Sequence, residues 1–109
     1  MRLVNAIKSA EIVAAEDSRK FQRLCQDLKI ESKAKVISYF DGNETERLEK
    51  LVSDLKSGVN LLLVTDAGMP TISDPGYLLV ESAVSNGIKV EVIPGPSAVT
   101  TALAISGLP

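Results

Sequence analysis

The run Leu61-Leu62-Leu63-Val64-Thr65 leads straight into Asp66-Ala67-Gly68-Met69-Pro70-Thr71-Ile72-Ser73-Asp74-Pro75-Gly76, and this stretch decides the fold. Four consecutive aliphatic residues suit a strand buried on both faces, as in a parallel sheet covered by helices. The strand then empties into a long loop of Asp, Gly, Pro, Ser and Thr. Asp74-Pro75 has the chemistry of a helix start, an N-cap followed by Pro at the first helical position. A buried strand, a polar loop and a helix in that order mark the edge where open α/β sheets bind ligands. Loops of this length between elements otherwise joined by short turns usually have a job.

Outward from this point the same alternation repeats. Upstream, residues 2–9 read as a helix with Leu3, Ile7 and Ala10 spaced for one face and Val4 beside them, and Ile12 to Ala15 is a short apolar strand ending at Glu16-Asp17. Asp17 or Ser18 can cap a helix whose stripe is Phe21, Leu24, Cys25 and Leu28. Lys35 to Phe40 reads as a strand, and Asp41-Gly42-Asn43 as turn chemistry. Asn43 with Glu46 begins a helix striped by Leu48, Leu51, Val52 and Leu55 and stopped by Gly58.

Downstream, a helix runs from Asp74 to about Asn86 and Gly87 terminates it. Lys89 to Ile93 alternates enough to lie near a sheet edge. Gly95-Pro96 is expected to open a last helix through Ile105, ended by Ser106-Gly107. The expected fold is therefore α/β: a mainly parallel sheet of about four strands with helices on both faces, in one domain spanning 1–109.

The totals agree with that class. The chain has 109 residues, 45% hydrophobic and 24% charged, with no Trp and 4% aromatics, so its core is aliphatic. Net charge is −2, but residues 1–35 hold eight basic and five acidic side chains while 36–109 hold four and nine. The basic front third, with Arg19, Lys20, Arg23, Lys29, Lys33 and Lys35, is either solvated surface or a contact for a polyanion. One cysteine, Cys25, excludes an internal disulfide and reads as a small buried hydrophobe. With no histidine, a histidine base, a histidine metal ligand and a Ser-His-Asp triad are excluded, and no metal site is expected. No apolar run is long enough for a membrane helix and no signal peptide is evident, so a cytoplasmic protein without membrane contact is expected.

In a parallel sheet the loops at Glu16-Asp17, Asp41–Asn43, Thr65–Gly76 and Pro94–Ser97 share one rim, each feeding a helix N-terminus. A nucleotide phosphate is the first ligand to consider. The chain has neither GxGxxG nor GxxxxGK[ST], and the two rich loops contain no Lys or Arg. Asp66 and Asp74 would repel phosphate and suit hydroxyls, a ribose, an amine or a cation. Gly68 and Gly95 allow close backbone approach, and Pro70, Pro75, Pro94 and Pro96 stiffen the loops. Each feature also has a structural reading: Asp74 as an N-cap, Asp66 as a loop cap, Gly95-Pro96 as a tight turn.

The strings AAEDSR (14–19), SYFDGNETERL (38–48), LVTDAGMPTISDPG (63–76), IPGPSAV (93–99) and SGLP (106–109) resemble the ribosomal RNA small-subunit methyltransferase I family, within the tetrapyrrole methylase superfamily. The combination of DAG-P--SDPG with PGPSA about twenty residues later carries the specificity. The resemblance implies an S-adenosylmethionine-dependent enzyme that methylates a ribose 2′-hydroxyl of a cytidine in 16S ribosomal RNA. It also implies a homodimer with two α/β domains per chain and the cofactor in the cleft between them. On that reading the chain is an incomplete N-terminal cofactor-binding domain, with a first strand and a second domain expected outside it, and inactive alone.

By position, the resemblance assigns the cofactor to Asp66, Ala67, Gly68, Ile72, Ser73, Asp74, Pro94, Gly95, Ser97 and Ala98, and RNA contact to Arg19 and Arg23. Relatives usually carry Thr where Met69 stands and a histidine-containing segment where Tyr39-Phe40-Asp41-Gly42-Asn43 stands. Methyl transfer to a hydroxyl is an in-line displacement in which alignment dominates, and a base for the hydroxyl proton would come from Glu16, Asp17, Asp66 or Asp74, or from the second domain expected outside the chain. Two other readings stand beside it: a small-molecule methylase acting on a tetrapyrrole precursor, and a non-catalytic ligand-binding or dimerisation remnant.

Overall fold

A computed structural model describes residues 2–39, 44–65, 74–95 and 101–106. The described elements are α1 (Arg2–Ser9), β1 (Ile12–Ala15), α2 (Ser18–Asp27), β2 (Lys35–Ser38), α3 (Glu44–Lys56), β3 (Asn60–Thr65), α4 (Asp74–Ser85), β4 (Lys89–Pro94) and β5 (Thr101–Ser106). They form a five-stranded sheet in the order β2-β1-β3-β5-β4. The aliphatic run at 61–64 is the central strand, and the alternating strand at 89–94 lies at an edge, both as the sequence requires.

Pairing is parallel between β1 and β2 and between β1 and β3, with Ile12 opposite both Lys35 and Leu61. That register sorts every second residue to the same face. Val13, Ala15, Leu62 and Val64 join Leu3, Ile7, Phe21, Leu24 and Cys25 in one apolar cluster, beneath α1 and α2. Ala14, Leu61 and Leu63 join Leu51, Leu55, Leu79 and Ala83 in the other, beneath α3 and α4. The sheet is thus covered on both faces, which explains why β3 carries no polar alternation.

Glu11 staples the amino ends of the parallel strands. Its amide donates to the Asn60 carbonyl at 2.9 Å, its carbonyl accepts from the Lys35 amide at 3.0 Å, and its carboxylate accepts from the Asn60 amide at 3.0 Å. The Ser106 hydroxyl adds a bond to Asn60 Oδ1 at 3.0 Å from the neighbouring strand.

Three helices end in the same Schellman arrangement. The bonds are Ile30 N–H to Cys25 O with Lys29 N–H to Gln26 O after α2, and Val59 N–H to Asp54 O with Gly58 N–H to Leu55 O after α3. After α4 they are Ile88 N–H to Ala83 O with Gly87 N–H to Val84 O. The left-handed residue is Gly58 (φ 98°) and Gly87 (φ 73°) in two of them, but Lys29 (φ 56°) in the third.

One expectation is overturned. The segment expected to close the chain as a helix instead forms β5, which pairs antiparallel with β3 on one side and β4 on the other. The sheet has five strands rather than about four, and its fifth interrupts the parallel run. Ala and Leu favour helix locally, but that preference is worth only tenths of a kcal/mol per residue. The free side of β3 presents buried backbone donors and acceptors that need partners. A strand running from Asn60↔Ser106 to Thr65↔Thr101 satisfies them along its whole length.

Candidate functional site

Because β1, β2 and β3 are parallel, their carboxyl ends meet at one edge. β4 is antiparallel to β5, which is antiparallel to β3, so β4 also ends there. The rim therefore gathers Glu16, Tyr39, Thr65 and Pro94, with Thr101 at the start of β5. Thr65 and Pro94 both stand opposite Thr101. Two strand spacings, roughly 10 Å, separate the points where β3 and β4 release their loops.

The first turn of this rim is firmly tied. The Glu16 amide donates to the Val64 carbonyl at 3.0 Å, and the Tyr39 amide donates to the Ala15 carbonyl at 2.9 Å. These bonds extend the ladders one residue past the strands. Thr65 is the one polar side chain buried among the described residues, 2% exposed, and Tyr39 is 1% exposed.

Asp17 takes up the N-cap role that the sequence offered. Its backbone is extended (φ −133°, ψ 106°), and Oδ1 accepts from the amides of Arg19 at 3.0 Å and Lys20 at 3.4 Å. Arg19 and Arg23 are exposed on α2, one turn apart. Asp74 opens α4 at the same rim, and Pro94 and Gly95 close β4 there. Asp66, Ala67, Gly68, Ile72, Ser73, Ser97 and Ala98 lie outside the described residues, as do Phe40 to Asn43. The structure thus brings together the ends of β3 and β4 with the start of α4; the segment after Pro94 leads into β5 and not into the expected helix N-terminus.

Other groups lie away from the rim or are inert. Cys25 is a buried free thiol in the α2 cluster, and burial pushes its pKa up from the ordinary value, as expected of a structural cysteine. Tyr77, exposed on α4, hydrogen-bonds Glu81 one turn on, and that carboxylate raises the phenol's pKa. Among the described residues no group of His, Cys, Asp and Glu is arranged to hold a metal ion, and no helix is long and apolar enough to cross a membrane.

An α/β sheet whose strand ends gather at one edge defines the class, and comparison with known proteins narrows it. Residues 1–109 match the family described as tetrapyrrole (corrin/porphyrin) methylases, and the chain belongs to that family. Among curated proteins it is similar to the Ribosomal RNA small subunit methyltransferase I of Mycobacterium tuberculosis (strain CDC 1551 / Oshkosh), 48% identical over 108 residues, which are 99% of this chain and 38% of that protein. The proteins of the same name from Hydrogenobaculum sp. (strain Y04AAS1) and Thermotoga maritima are 41% and 39% identical over 109 residues. The whole of this chain covers 47% and 48% of those two. The chain therefore spans less than half the length of these relatives.

Proposed function

We propose that this chain is the S-adenosylmethionine-binding part of an enzyme that methylates small-subunit ribosomal RNA, at the ribose 2′-hydroxyl of a cytidine in 16S RNA. The relatives' shared name supports the RNA substrate, and the family supports a methyl donor of this type. The observation that carries the reading is the rim itself. β3 and β4 deliver Thr65 and Pro94 to the same register position on either side of Thr101, so the segments 66–73 and 95–100 leave the sheet from the same edge.

The residues available fit the cofactor. Between Thr65 and Val99 the two loops carry Asp66, Ser73, Asp74 and Ser97 with backbone amides, and no Lys or Arg. Carboxylates and hydroxyls suit its ribose hydroxyls, amino group and cationic sulfur. Asp66, Ala67, Gly68, Ile72, Ser73 and Asp74 would hold it from one loop, and Pro94, Gly95, Ser97 and Ala98 from the other. When bound, it supplies the activated methyl group. The chain's own task is alignment: a stiff rim that holds ligand and hydroxyl in line.

Glu16, Asp66 and Asp74 are the carboxylates of this chain that would take the hydroxyl proton, with Asp17 engaged as the cap of α2. Arg19 and Arg23 would meet RNA phosphates from α2. The enzyme acts in the cytoplasm as a homodimer, and the exposed Tyr77, Leu78 and Val84 of α4 offer apolar surface for a second copy.

Calorimetric titration of S-adenosylmethionine into the enzyme containing this chain tests the reading. Binding should be present and should be lost in Asp66→Ala. Labelled methyl groups should then appear on 30S subunits at a ribose 2′-oxygen. Absence of cofactor binding would overturn the proposal, and methylation of a tetrapyrrole precursor instead of 30S subunits would replace its substrate.

A further inference from the structure

A recess of about 220 Å³ opens between the edge strand β2 and α3, toward the end of the sheet opposite the rim. Its floor is aliphatic: Ile12, Ile37 and Leu51. Its wall is cationic. Lys35, the first residue of β2, reaches it from the sheet, and Arg47 and Lys50 from α3, against the single carboxylate of Asp54. The register explains the convergence. Lys35 lies opposite Ile12, so both share the α3 face with Ile37 two residues on. Arg47, Lys50, Leu51 and Asp54 recur at helical spacing on one side of α3.

Two features set this recess apart from ordinary solvated surface. Its lining carries a net +2 in a chain whose total is −2. It also combines that charge with an aliphatic floor, and among the described residues β2 is an edge strand with no neighbour on that side. At about 220 Å³ it falls below the roughly 300–1,000 Å³ of cofactor and drug-sized sites, so one nucleotide's sugar and phosphate suit it better than a free cofactor. Arginine and lysine over an apolar floor match a phosphate flanked by a ribose or base face.

We propose that this recess is an RNA-backbone site, holding one phosphodiester of a single-stranded segment away from the rim. Arg47 and Lys50 contact the phosphate oxygens, Lys35 closes the site from β2, and the aliphatic floor receives the adjoining sugar. The choice of RNA over other polyanions rests on the ribosomal RNA reading above. The site does not depend on where the cofactor binds.

The test is fluorescence anisotropy of a labelled single-stranded RNA oligonucleotide with the enzyme containing this chain, across a series of salt concentrations. The double variant Arg47→Gln/Lys50→Gln should weaken binding at low salt. The slope of log affinity against log salt should become shallower by roughly 0.7 for each phosphate that is no longer neutralised. Lys35→Gln, on a different element, should act in the same direction. Lys89→Gln, which removes a cation at the opposite sheet edge, should leave the slope unchanged.

An unchanged slope in both recess variants, with native circular dichroism, overturns the proposal, as does failure of the parent to bind RNA. Binding to anionic phospholipid vesicles that is lost in these variants, with RNA binding unaffected, overturns it in favour of a membrane surface. Titrating S-adenosylmethionine into the same variants separates the two proposals. Cofactor binding without a slope change removes the recess alone, and a slope change without cofactor binding removes the methyltransferase reading alone.

Discussion

The amide of Glu16 donates to the carbonyl of Val64 at 3.0 Å, just beyond the last paired residues of β1 and β3. The bond joins the turn into α2 to the strand that leads into the long loop. A shift of α2 is therefore felt at the root of residues 66–73, even though α2 packs on the face opposite α3 and α4.

Asp17 fixes the entry to α2 by accepting from two of the helix's first amides. Asp17→Ala should lower stability by about 1 kcal/mol, and Asp17→Asn by a few tenths, because asparagine caps nearly as well. Urea unfolding followed by circular dichroism measures both.

The three Schellman ends differ only in the residue held left-handed. Lys29 has φ 56°, a conformation that costs a side-chain-bearing residue about 1–2 kcal/mol, whereas glycine adopts it freely. Lys29→Gly should stabilise by roughly 0.5–1 kcal/mol after glycine's greater unfolded-state entropy is counted. Gly87→Ala should do the reverse at about 1 kcal/mol. No heavy atom lies within 4 Å of where its Cβ would stand, so the loss is backbone strain alone. Gly87→Asn should cost less, since asparagine tolerates this region.

Cys25 is buried as the neutral thiol, with its pKa raised from an ordinary value of 9.0. The unfolded chain then gives up this proton at lower pH than the folded one. Its contribution to stability is complete below about pH 9 and is lost as pH rises through the folded-state value. The slope of unfolding free energy against pH above 9 should be less negative in Cys25→Ala than in the parent. Thiol reagents should modify Cys25 slowly in the native protein and rapidly in urea.

β5 makes a definite spectroscopic prediction. Antiparallel pairing from Leu61↔Ile105 to Val64↔Ala102 places alternate Hα protons close together across the ladder. Nuclear Overhauser contacts between Hα atoms of β3 and β5 should be strong at every second pair. A pattern of sequential amide contacts over 101–106 would instead mean a helix there.

The elements around residues 61–76 were legible because each carried its own period. Leu61 to Val64 is too apolar for a half-exposed strand, and Phe21, Leu24, Cys25 and Leu28 repeat at helical spacing. Gly58 and Gly87 marked two helix ends, and both are left-handed in the structure. The third end was not legible at Lys29, since lysine carries no such signal. β5 was misread for a stronger reason. Thr101-Ala102-Leu103-Ala104-Ile105 is rich in helix formers and flanked by Gly-Pro and Ser-Gly, and what makes it a strand is the unpaired side of β3, a partner some forty residues away. The recess under α3 was also hidden in the sequence. Lys35 reads as part of a basic front third, while Arg47 and Lys50 fall in an acidic remainder, and only the β1–β2 register puts them together.

The sheet order carries a last consequence, for the way the chain comes together. Among the described residues β4 pairs with no strand except β5, and β5 follows it in sequence. During synthesis, β1, β2 and β3 can pair as they emerge, but β4, packed against α1 and α4, has no strand partner until residues 101–106 arrive to bridge it to β3. The last ladder is thus the keystone of assembly: one half of the sheet forms progressively, and the other is added in a single late step.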